Sequence, residues 1–202
     1  MEHSVQTFHN HPGIDQVVIV TAKEFIDKVQ GLVKANNWTK VTAVMAGGKE
    51  RFDSSLAAVR HFKDNPDMVM LFHDAARPLV TERIITDTLK AMETYNAVDV
   101  AIPAVDTIVQ CNKEGTYMTS IQDRSLLWRM QTPQGFRQKT IERAYEIALN
   151  DPQFTATDDC GTVLRYLPEE KVGIVRGSER NIKLTYADDL ALLEVLLSLP
   201  ER

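Results

Sequence analysis

The feature that most constrains this fold is a regular alternation between short apolar runs and longer amphipathic stretches. Residues 17–20, 41–45 and 68–72 are apolar runs of the length of buried strands, whereas residues 23–35 repeat apolar side chains at helical spacing. Strands that alternate with helices favour a mainly parallel sheet built from right-handed crossovers. The sequence therefore predicts an α/β fold.

The composition is that of one globular domain covering residues 1–202, with 44% hydrophobic and 25% charged residues. The formal net charge of −5 argues against general nucleic-acid binding, because a phosphate backbone attracts clustered lysine and arginine. No apolar run approaches the roughly 20 residues that cross a bilayer, and the first residues lack the features of a signal peptide. We therefore expect a cytoplasmic protein without membrane contact. Cys111 and Cys160 have neither metal-site nor redox spacing, so we expect two reduced thiols.

The apolar run at residues 68–72 stops abruptly at the sequence HDAARP, residues 73–78. Ligands of parallel sheets bind beyond the carboxyl ends of the strands, where loops hold polar groups on a rigid support. Asp74 suits a metal ion or a ligand hydroxyl, and Arg77 has the planar donor fork that suits a phosphate. A turn capped by an ion pair between Asp74 and Arg77 explains the same residues. Spacing alone leaves the two alternatives open.

A second candidate site lies at Gly47 and Gly48, which follow a strand and open a helix. Glycines let the backbone approach a ligand closely, and a helix N-terminus offers free N–H groups. Arg51 and Ser54 add further donors, so this segment suits an anion or a nucleotide. The alternative is a tight turn with Ser54 as the helix cap.

Three segments together resemble a known family. They are HDAARP, the sequence TPQ at residues 132–134 and the sequence NIKLT at residues 181–185. From residue 1 to about residue 197 the chain resembles the cytidylyltransferases that act on 2-C-methyl-D-erythritol 4-phosphate or on ribitol 5-phosphate. The resemblance implies a three-layer nucleotidyltransferase fold and a reaction of CTP with a polyol phosphate that gives a CDP-polyol and pyrophosphate. It also implies Mg²⁺ bridging the triphosphate, with Asp74 as the nearest carboxylate.

The resemblance assigns roles to individual residues. It places Arg51 and Ser54 against the cytidine part of the nucleotide, and it makes Asp74, Arg77 and Lys183 the candidate catalytic residues. The other candidate substrate-binding residues are Gly47, Gly48, Ala75, Thr107, Arg124, Thr132, Thr157 and Thr185.

The resemblance gives several of these residues a more specific role. Thr132 is expected to donate its hydroxyl to the substrate, and Lys183 and Thr185 are expected to bind the acceptor phosphate. Thr157 or Asp158 is also a candidate helix cap, and for Thr157 the cap and a place near the acceptor phosphate are compatible.

An arm at about residues 105–130 is predicted from a polar, β-rich stretch with a turn signal at residues 113–115. The resemblance implies a homodimer formed through this arm, with Thr107 and Arg124 binding the polyol phosphate in the neighbouring subunit's site. A solvated hairpin without a partner is the alternative.

One part of the family pattern has no match in this chain. The family's domain begins with a central strand and a glycine-rich loop that holds the triphosphate, and residue 1 falls inside what the resemblance makes the first helix. We therefore expect uncovered apolar surface on the helices where that strand would lie. Either the working enzyme is longer at its start, which we favour, or the chain is an inactive dimeric ligand-binding module.

The acceptor is predicted from small differences between the two enzymes. Trp128 beside Leu127, and HDAARP with its alanines, favour methylerythritol phosphate, an intermediate of isoprenoid precursor synthesis. Residues 104–109 look more like the ribitol enzyme, and Val109 stands where the methylerythritol enzyme often has lysine. We take methylerythritol phosphate first and ribitol phosphate as the alternative.

Overall fold

Helices and strands alternate through most of the chain, as the sequence predicts. In the computed structural model, the structure describes residues 1–155 and 158–199. The helices are α1 (Glu2–Asn10), α2 (Ile26–Ala35), α3 (Arg51–His61), α4 (Glu82–Ala91), α5 (Gln138–Leu149), α6 (Asp159–Tyr166) and α7 (Asp189–Ser198). The strands are β1 (Val17–Thr21), β2 (Val41–Ala46), β3 (Val69–Phe72), β4 (Ala97–Pro103), β5 (Val109–Cys111), β6 (Met118–Ile121), β7 (Trp128–Met130), β8 (Gln134–Arg137) and β9 (Val172–Arg176).

The strands form one large sheet and two strand pairs. The large sheet has the order β3-β8-β4-β7, and β9 also pairs with β4. Because β3 and β4 are both antiparallel to β8, and β9 is parallel to β4, these three strands run in one direction. β1 and β2 form a separate parallel pair. The predicted α/β fold with its mainly parallel strand directions is confirmed.

Helices cover both faces of the large sheet. Ala97 on β4 belongs to a buried cluster with Val59 of α3 and Ile141 of α5. The next residue, Val98, belongs to a second cluster, which contains Ile84 of α4. Successive strand residues point to opposite faces, so the sheet lies between two helical layers. This is the predicted three-layer arrangement.

The sheet register places the recognised motifs at one end of the sheet. HDAARP follows Phe72, the last residue of β3, and Phe72 pairs with Gln134, the first residue of β8. The TPQ turn therefore lies beside the HDAARP loop. The NIKLT segment follows β9 and reaches the same loop, because Leu184 N–H donates to the Ala76 carbonyl at 2.8 Å.

A groove separates the two parallel strands of the small pair from the large sheet. Among the described residues β1 pairs with β2 alone and β3 with β8 alone, so each strand has one open edge. A cavity of about 860 Å³ lies between these edges, lined by both strands and by residues of α1 and α3, most of them apolar. It lies where the sequence led us to expect uncovered apolar surface.

The predicted arm contains an antiparallel hairpin of β5 and β6. Asn112 closes its turn by accepting hydrogen bonds from the Thr116 and Tyr117 N–H groups, and Gly115 has a φ of +68° that favours glycine. The two strands pair with each other and with no other described strand.

The structure also bears on the predictions about the two cysteines and about membrane spans. Cys111 is exposed and Cys160 is buried, and the two cysteines are not joined in a disulfide. In the described part of the chain, every helix is too short or too polar to cross a bilayer.

A carboxyl group is buried in the middle of the large sheet. Asp99 on β4 is 2% exposed and accepts a hydrogen bond from Gln134 Nε2 at 2.9 Å. Burial raises the pKa of Asp99 to about 7, with the Gln134 hydrogen bond opposing this shift and the charge of Asp158 adding to it. The protonated form of Asp99 is therefore favoured by folding.

Asp99→Asn is predicted to change how stability depends on pH. Between the ordinary pKa of 3.8 and about 7, the folded protein keeps a proton that the unfolded chain has released. This group's contribution to the free energy of unfolding therefore falls as pH rises through that window. The wild type should lose stability relative to the variant by up to about 1.4 kcal/mol per pH unit, measured by urea denaturation.

The matched control is Asp67→Asn. Asp67 is exposed, and the hydrogen bond from Lys139 lowers its pKa below the ordinary value of 3.8. The contribution of Asp67 to the free energy of unfolding should therefore change only below about pH 4, where it should fall as the pH falls. Parallel curves of unfolding free energy against pH for wild type and Asp99→Asn would contradict the prediction.

Candidate active site

The HDAARP loop places the carboxylate of Asp74 among three cationic side chains. Lys183 Nζ lies 2.9 Å from Asp74 Oδ2, Arg77 Nε lies 3.9 Å from the same oxygen, and Arg51 Nε lies 3.5 Å from Oδ1. Burial acts to raise the pKa of Asp74, but the hydrogen bond and charge of Lys183, with both arginines, lower it below its ordinary value. These four residues, the Asp74 cluster, have an excess of positive charge and suit an anionic ligand.

Arg51, at the start of α3, is also held by a second carboxylate. Arg51 Nη1 lies 2.8 Å from Asp159 Oδ2, and Asp159 accepts hydrogen bonds from the hydroxyl groups of Tyr145 and Ser55. Burial raises the pKa of Asp159, and the charge of Arg51 opposes the shift. The guanidinium of Arg51 therefore bridges Asp159 and Asp74, and its direction is fixed by the protein itself.

The turn at Gly47 and Gly48 packs tightly on the first turn of α3. A Cβ at Gly47 would lie 2.3 Å from Ser54 Oγ, and one at Gly48 would lie 2.1 Å from Asp53 Cβ. The helix begins with a capping box between Glu50 and Asp53, so the alternative in which Ser54 caps it is wrong. The glycines are required because the turn lies so close to the helix.

The donor fork of Arg77, which the sequence suggested for a phosphate, has partners inside the protein. Its side chain is 12% exposed, and Nη1 donates to the Asn181 carbonyl at 2.7 Å, while Nη2 donates to the Met130 carbonyl at 3.4 Å. The fork therefore binds main-chain oxygens and joins the HDAARP loop to two other segments. In this arrangement Arg77 holds the site together and adds positive charge behind Asp74.

Lys183 is the most exposed cation of the cluster. Its side chain is 46% exposed, against 35% for Arg51 and 12% for Arg77. The neighbouring Asn181 is fully buried and donates from Nδ2 to the Thr132 carbonyl at 2.8 Å, which fixes the NIKLT segment against the TPQ turn. Lys183 is thus positioned by its main chain and remains accessible to a ligand.

The Thr132 hydroxyl, predicted to donate to the substrate, lies between the HDAARP loop and His73. Its Oγ accepts the Asp74 N–H at 3.1 Å and lies 3.0 Å from His73 Nδ1, while His73 Nε2 lies 3.0 Å from the Arg77 carbonyl. Burial lowers the pKa of His73 to about 4, so the ring is neutral near pH 7. Because a carbonyl can only accept, Nε2 carries the hydrogen and Nδ1 accepts the hydroxyl hydrogen of Thr132.

Two further candidates lie beside the cluster. Ala75 is exposed in the HDAARP loop, and Thr185 is exposed, with its hydroxyl donating to the Lys183 carbonyl at 3.3 Å. Thr157 lies outside the described residues, and the neighbouring Asp158 is the cap of α6.

The two candidates on the arm are separate from the cluster. Thr107 and Arg124 are exposed, and Arg124 Nη1 donates to the Val105 carbonyl at 2.9 Å. Within residues 1–155 and 158–199, no hydrogen bond or ion pair joins either of them to the Asp74 cluster. Their predicted role concerns a neighbouring subunit and stays a prediction.

Sequence analysis missed three residues that support this site: His73, Asp159 and Asn181. Each of them contacts a predicted site residue and holds it in place. His73 and Asn181 are members of the recognised motifs, so their positions in the sequence were a signal. Asp159 had a weaker signal, a second acidic residue beside a helix cap.

The donor set of the cluster limits how it can hold a metal ion. Among the described residues, no three His, Cys, Asp or Glu side chains are grouped to bind one. Asp74 offers one carboxylate, whose two oxygens both face cations. Such a site fits Mg²⁺ only where most ligands come from a bound phosphate and water, which is a common arrangement for this ion.

Comparison with known proteins agrees with these motifs. Residues 1–199 match the family model described as 2-C-methyl-D-erythritol 4-phosphate cytidylyltransferase, or IspD. The enzyme of that name from Thermobifida fusca is 45% identical over 201 residues, which are 98% of this chain and 81% of the relative.

Two other proteins broaden the comparison. The bifunctional ribulose 5-phosphate reductase/CDP-ribitol pyrophosphorylase Bcs1 of Haemophilus influenzae is 41% identical, over 97% of this chain and 41% of that protein. The crystal structure of 4-diphosphocytidyl-2C-methyl-D-erythritol synthase from Anaerococcus prevotii superposes with a TM-score of 0.87 at 26% identity, covering 98% of this chain and 85% of that one. Since a family model matches almost the whole chain, and a relative that it largely spans is 45% identical, the chain belongs to the 2-C-methyl-D-erythritol 4-phosphate cytidylyltransferase family of nucleotidyltransferase enzymes.

Proposed function

We propose that this protein transfers CMP from CTP to 2-C-methyl-D-erythritol 4-phosphate, giving CDP-methylerythritol and pyrophosphate. The observation that carries the proposal is the Asp74 cluster, where three separate segments bring Arg51 and Lys183 to one carboxylate. The resemblance to the Thermobifida fusca enzyme supports this acceptor.

Ribitol 5-phosphate is the second candidate acceptor. It is supported by the similarity to the Haemophilus influenzae protein, whose name includes CDP-ribitol pyrophosphorylase. Both acceptors are polyol phosphates, so both need a cation for the phosphate and donors for the hydroxyls.

The proposed transfer uses the cluster as a set of positioned charges. An oxygen of the acceptor phosphate attacks the α-phosphorus of CTP, and the new P–O bond forms as the bond to pyrophosphate breaks. Lys183 exchanges Asp74 for the acceptor phosphate, because an ion pair with a half-exposed lysine is weak. Arg51, fixed by Asp159, presents its remaining donors to the cytidine part. Positive charge is thus in place where negative charge develops.

Mg²⁺ is part of this proposal. It would enter with CTP and neutralise the triphosphate, with Asp74 as the carboxylate nearest to it. The protein's own contribution is to hold Asp74 in place through its N–H bond to Thr132.

The groove between β1 and β3 supports a proposal about the working enzyme. We expect a further strand there, carried by a segment joined to Met1, because both strands have open edges and Met1 lines the cavity. Such a strand would unite the two sheets through main-chain hydrogen bonds. A loop after it would then lie near the HDAARP loop and be available to the triphosphate.

The arm is proposed to form a homodimer. Large apolar side chains are exposed along it, and contiguous exposed apolar surface of this kind marks interaction sites. They include Val105, Tyr117, Met118, Ile121 and Leu126, each more than 60% exposed. A partner subunit would cover them and could bring Thr107 and Arg124 to the neighbouring site.

The cytoplasm is the proposed compartment. Cys111 is an exposed free thiol, and free exposed thiols are typical of proteins from reducing compartments.

The proposed reaction predicts pyrophosphate release from CTP and Mg²⁺ in the presence of methylerythritol 4-phosphate. The assay compares this chain with a version extended upstream of Met1 from its own gene. We expect turnover in the extended version, faster with methylerythritol 4-phosphate than with ribitol 5-phosphate, and none when Mg²⁺ is replaced by EDTA. Faster turnover of ribitol 5-phosphate would establish the alternative acceptor. A folded dimer that is inactive with both acceptors would instead indicate the ligand-binding module.

Lys183→Ala is predicted to weaken acceptor binding without loss of stability. The KM for the acceptor should rise by about 10- to 100-fold, since one charge-assisted contact with the phosphate is removed. The melting temperature should change little, because the lysine is half exposed.

Lys139→Ala is the matched control for this lysine. Lys139 Nζ also lies 2.9 Å from a carboxylate, that of Asp67, but the pair is exposed and outside the cluster. Its removal should leave the acceptor KM unchanged. Equal KM values for wild type and Lys183→Ala would show that Lys183 does not bind the acceptor.

Leu126→Lys is predicted to separate the dimer. Leu126 is 77% exposed on the arm, and burying a lysine at the interface would be costly. Sedimentation velocity should show a dimer for wild type and a monomer for this variant. Leu164→Lys, at a 56% exposed position on α6, should remain dimeric. A monomeric wild type at high micromolar concentration would contradict the proposal.

A further inference from the structure

His73 occupies a position that its motif does not explain. Its ring packs against Phe8 of α1, with 5.1 Å between ring centroids, and both ring nitrogens have hydrogen-bond partners inside the protein. The partners lie in two different segments: the Arg77 carbonyl ends the HDAARP loop, and the Thr132 hydroxyl begins the TPQ turn. His73 therefore joins these two segments through one rigid ring.

The hydrogen bonds form a chain with a single direction. His73 Nε2–H donates to the Arg77 carbonyl, the Thr132 hydroxyl donates to His73 Nδ1, and the Asp74 N–H donates to Thr132 Oγ. Each hydroxyl has one hydrogen, so Thr132 has none left for a substrate. Thr132 is also 4% exposed, which keeps it behind the surface that a ligand would touch.

We propose that His73 is a positioning residue, which acts through Thr132 to fix the main chain of Asp74 and hence the geometry of the Asp74 cluster. The effect on Asp74 follows from its N–H, because the peptide group and the side chain share the same Cα. Asp74 in turn is the carboxylate that lies 2.9 Å from Lys183 Nζ and 3.5 Å from Arg51 Nε. The kinetic part of this proposal rests on the proposed cytidylyltransferase activity, and the structural part does not.

An imidazole fits this position better than other side chains. It places an acceptor and a donor on opposite sides of one planar ring, as the hydroxyl and the carbonyl require. Asparagine can supply an acceptor near the Nδ1 position and glutamine a donor near the Nε2 position, but each lacks the other contact. Phenylalanine keeps the ring beside Phe8 and has neither contact.

The test is a double-mutant cycle with His73→Phe and Thr132→Val. If the two residues act as one unit, each single variant should lower kcat/KM for the acceptor by about tenfold or more, and the double variant should lose no more than the worse single variant. Thr132→Ser keeps the hydroxyl and should recover most of the activity. The KM for CTP should change little in all of them.

A second measurement works without any activity. Nitrogen-15 NMR of this chain labelled at histidine should show His73 protonated at Nε2 and not at Nδ1, with its Nδ1 signal shifted by Thr132→Val and retained in Thr132→Ser. Urea denaturation of wild type, His73→Phe, Thr132→Val and the double variant should show non-additive losses of stability.

The outcomes separate the two proposals. Additive kinetic losses, with Thr132→Val raising the acceptor KM by itself, would show that Thr132 touches the substrate and would overturn the role of His73. A proton on Nδ1 would overturn it as well. An enzyme inactive with both acceptors, but with the expected tautomer and non-additive stabilities, would refute the proposed function and leave the positioning role standing.

Discussion

Two carboxylates allow three positive side chains to share the end of the sheet. Arg51, Arg77 and Lys183 arrive from three separate parts of the chain, and like charges this close would repel each other without a counter-charge. Asp74 faces all three groups at 2.9 to 3.9 Å, and Asp159 supplies a second negative charge 2.8 Å from Arg51. The excess positive charge that remains is what an incoming phosphate would meet. The site is therefore stable without a ligand and still attractive to one.

Hydrogen bonds between three segments keep these charges in position. The HDAARP loop, the TPQ turn and the NIKLT segment are joined by contacts of His73, Asn181 and the Arg77 fork, and most of these contacts end on main-chain atoms. Main-chain contacts define where a loop runs, and so they fix side chains that need not be buried themselves. This applies most clearly to Lys183, whose side chain stays accessible while the neighbouring residues are fixed. Catalytic groups held in this way lose little freedom when a substrate binds.

The sequence was informative where a pattern is local, and less so where a contact is distant. Hydrophobic periodicity predicted the strands and helices, and the three motifs predicted that Asp74 and Lys183 belong to one site. The partner of Arg51 was not predictable, because Asp159 is 108 positions away in the chain and becomes its neighbour only through packing. The direction of the Arg77 fork and of the Thr132 hydroxyl also depends on surrounding segments. For both residues the motif gave the segment but not which atoms the side chain contacts.

The groove has a consequence for how this chain behaves in a test tube. The open edges of β1 and β3 carry main-chain N–H and C=O groups that pair with whichever strand reaches them first. The main-chain groups alone do not distinguish a strand of the same molecule from one of another, so selection depends on the side chains that line the groove and on local concentration. Residues 1–202 therefore present two strand edges on which a strand from a second molecule can also pair.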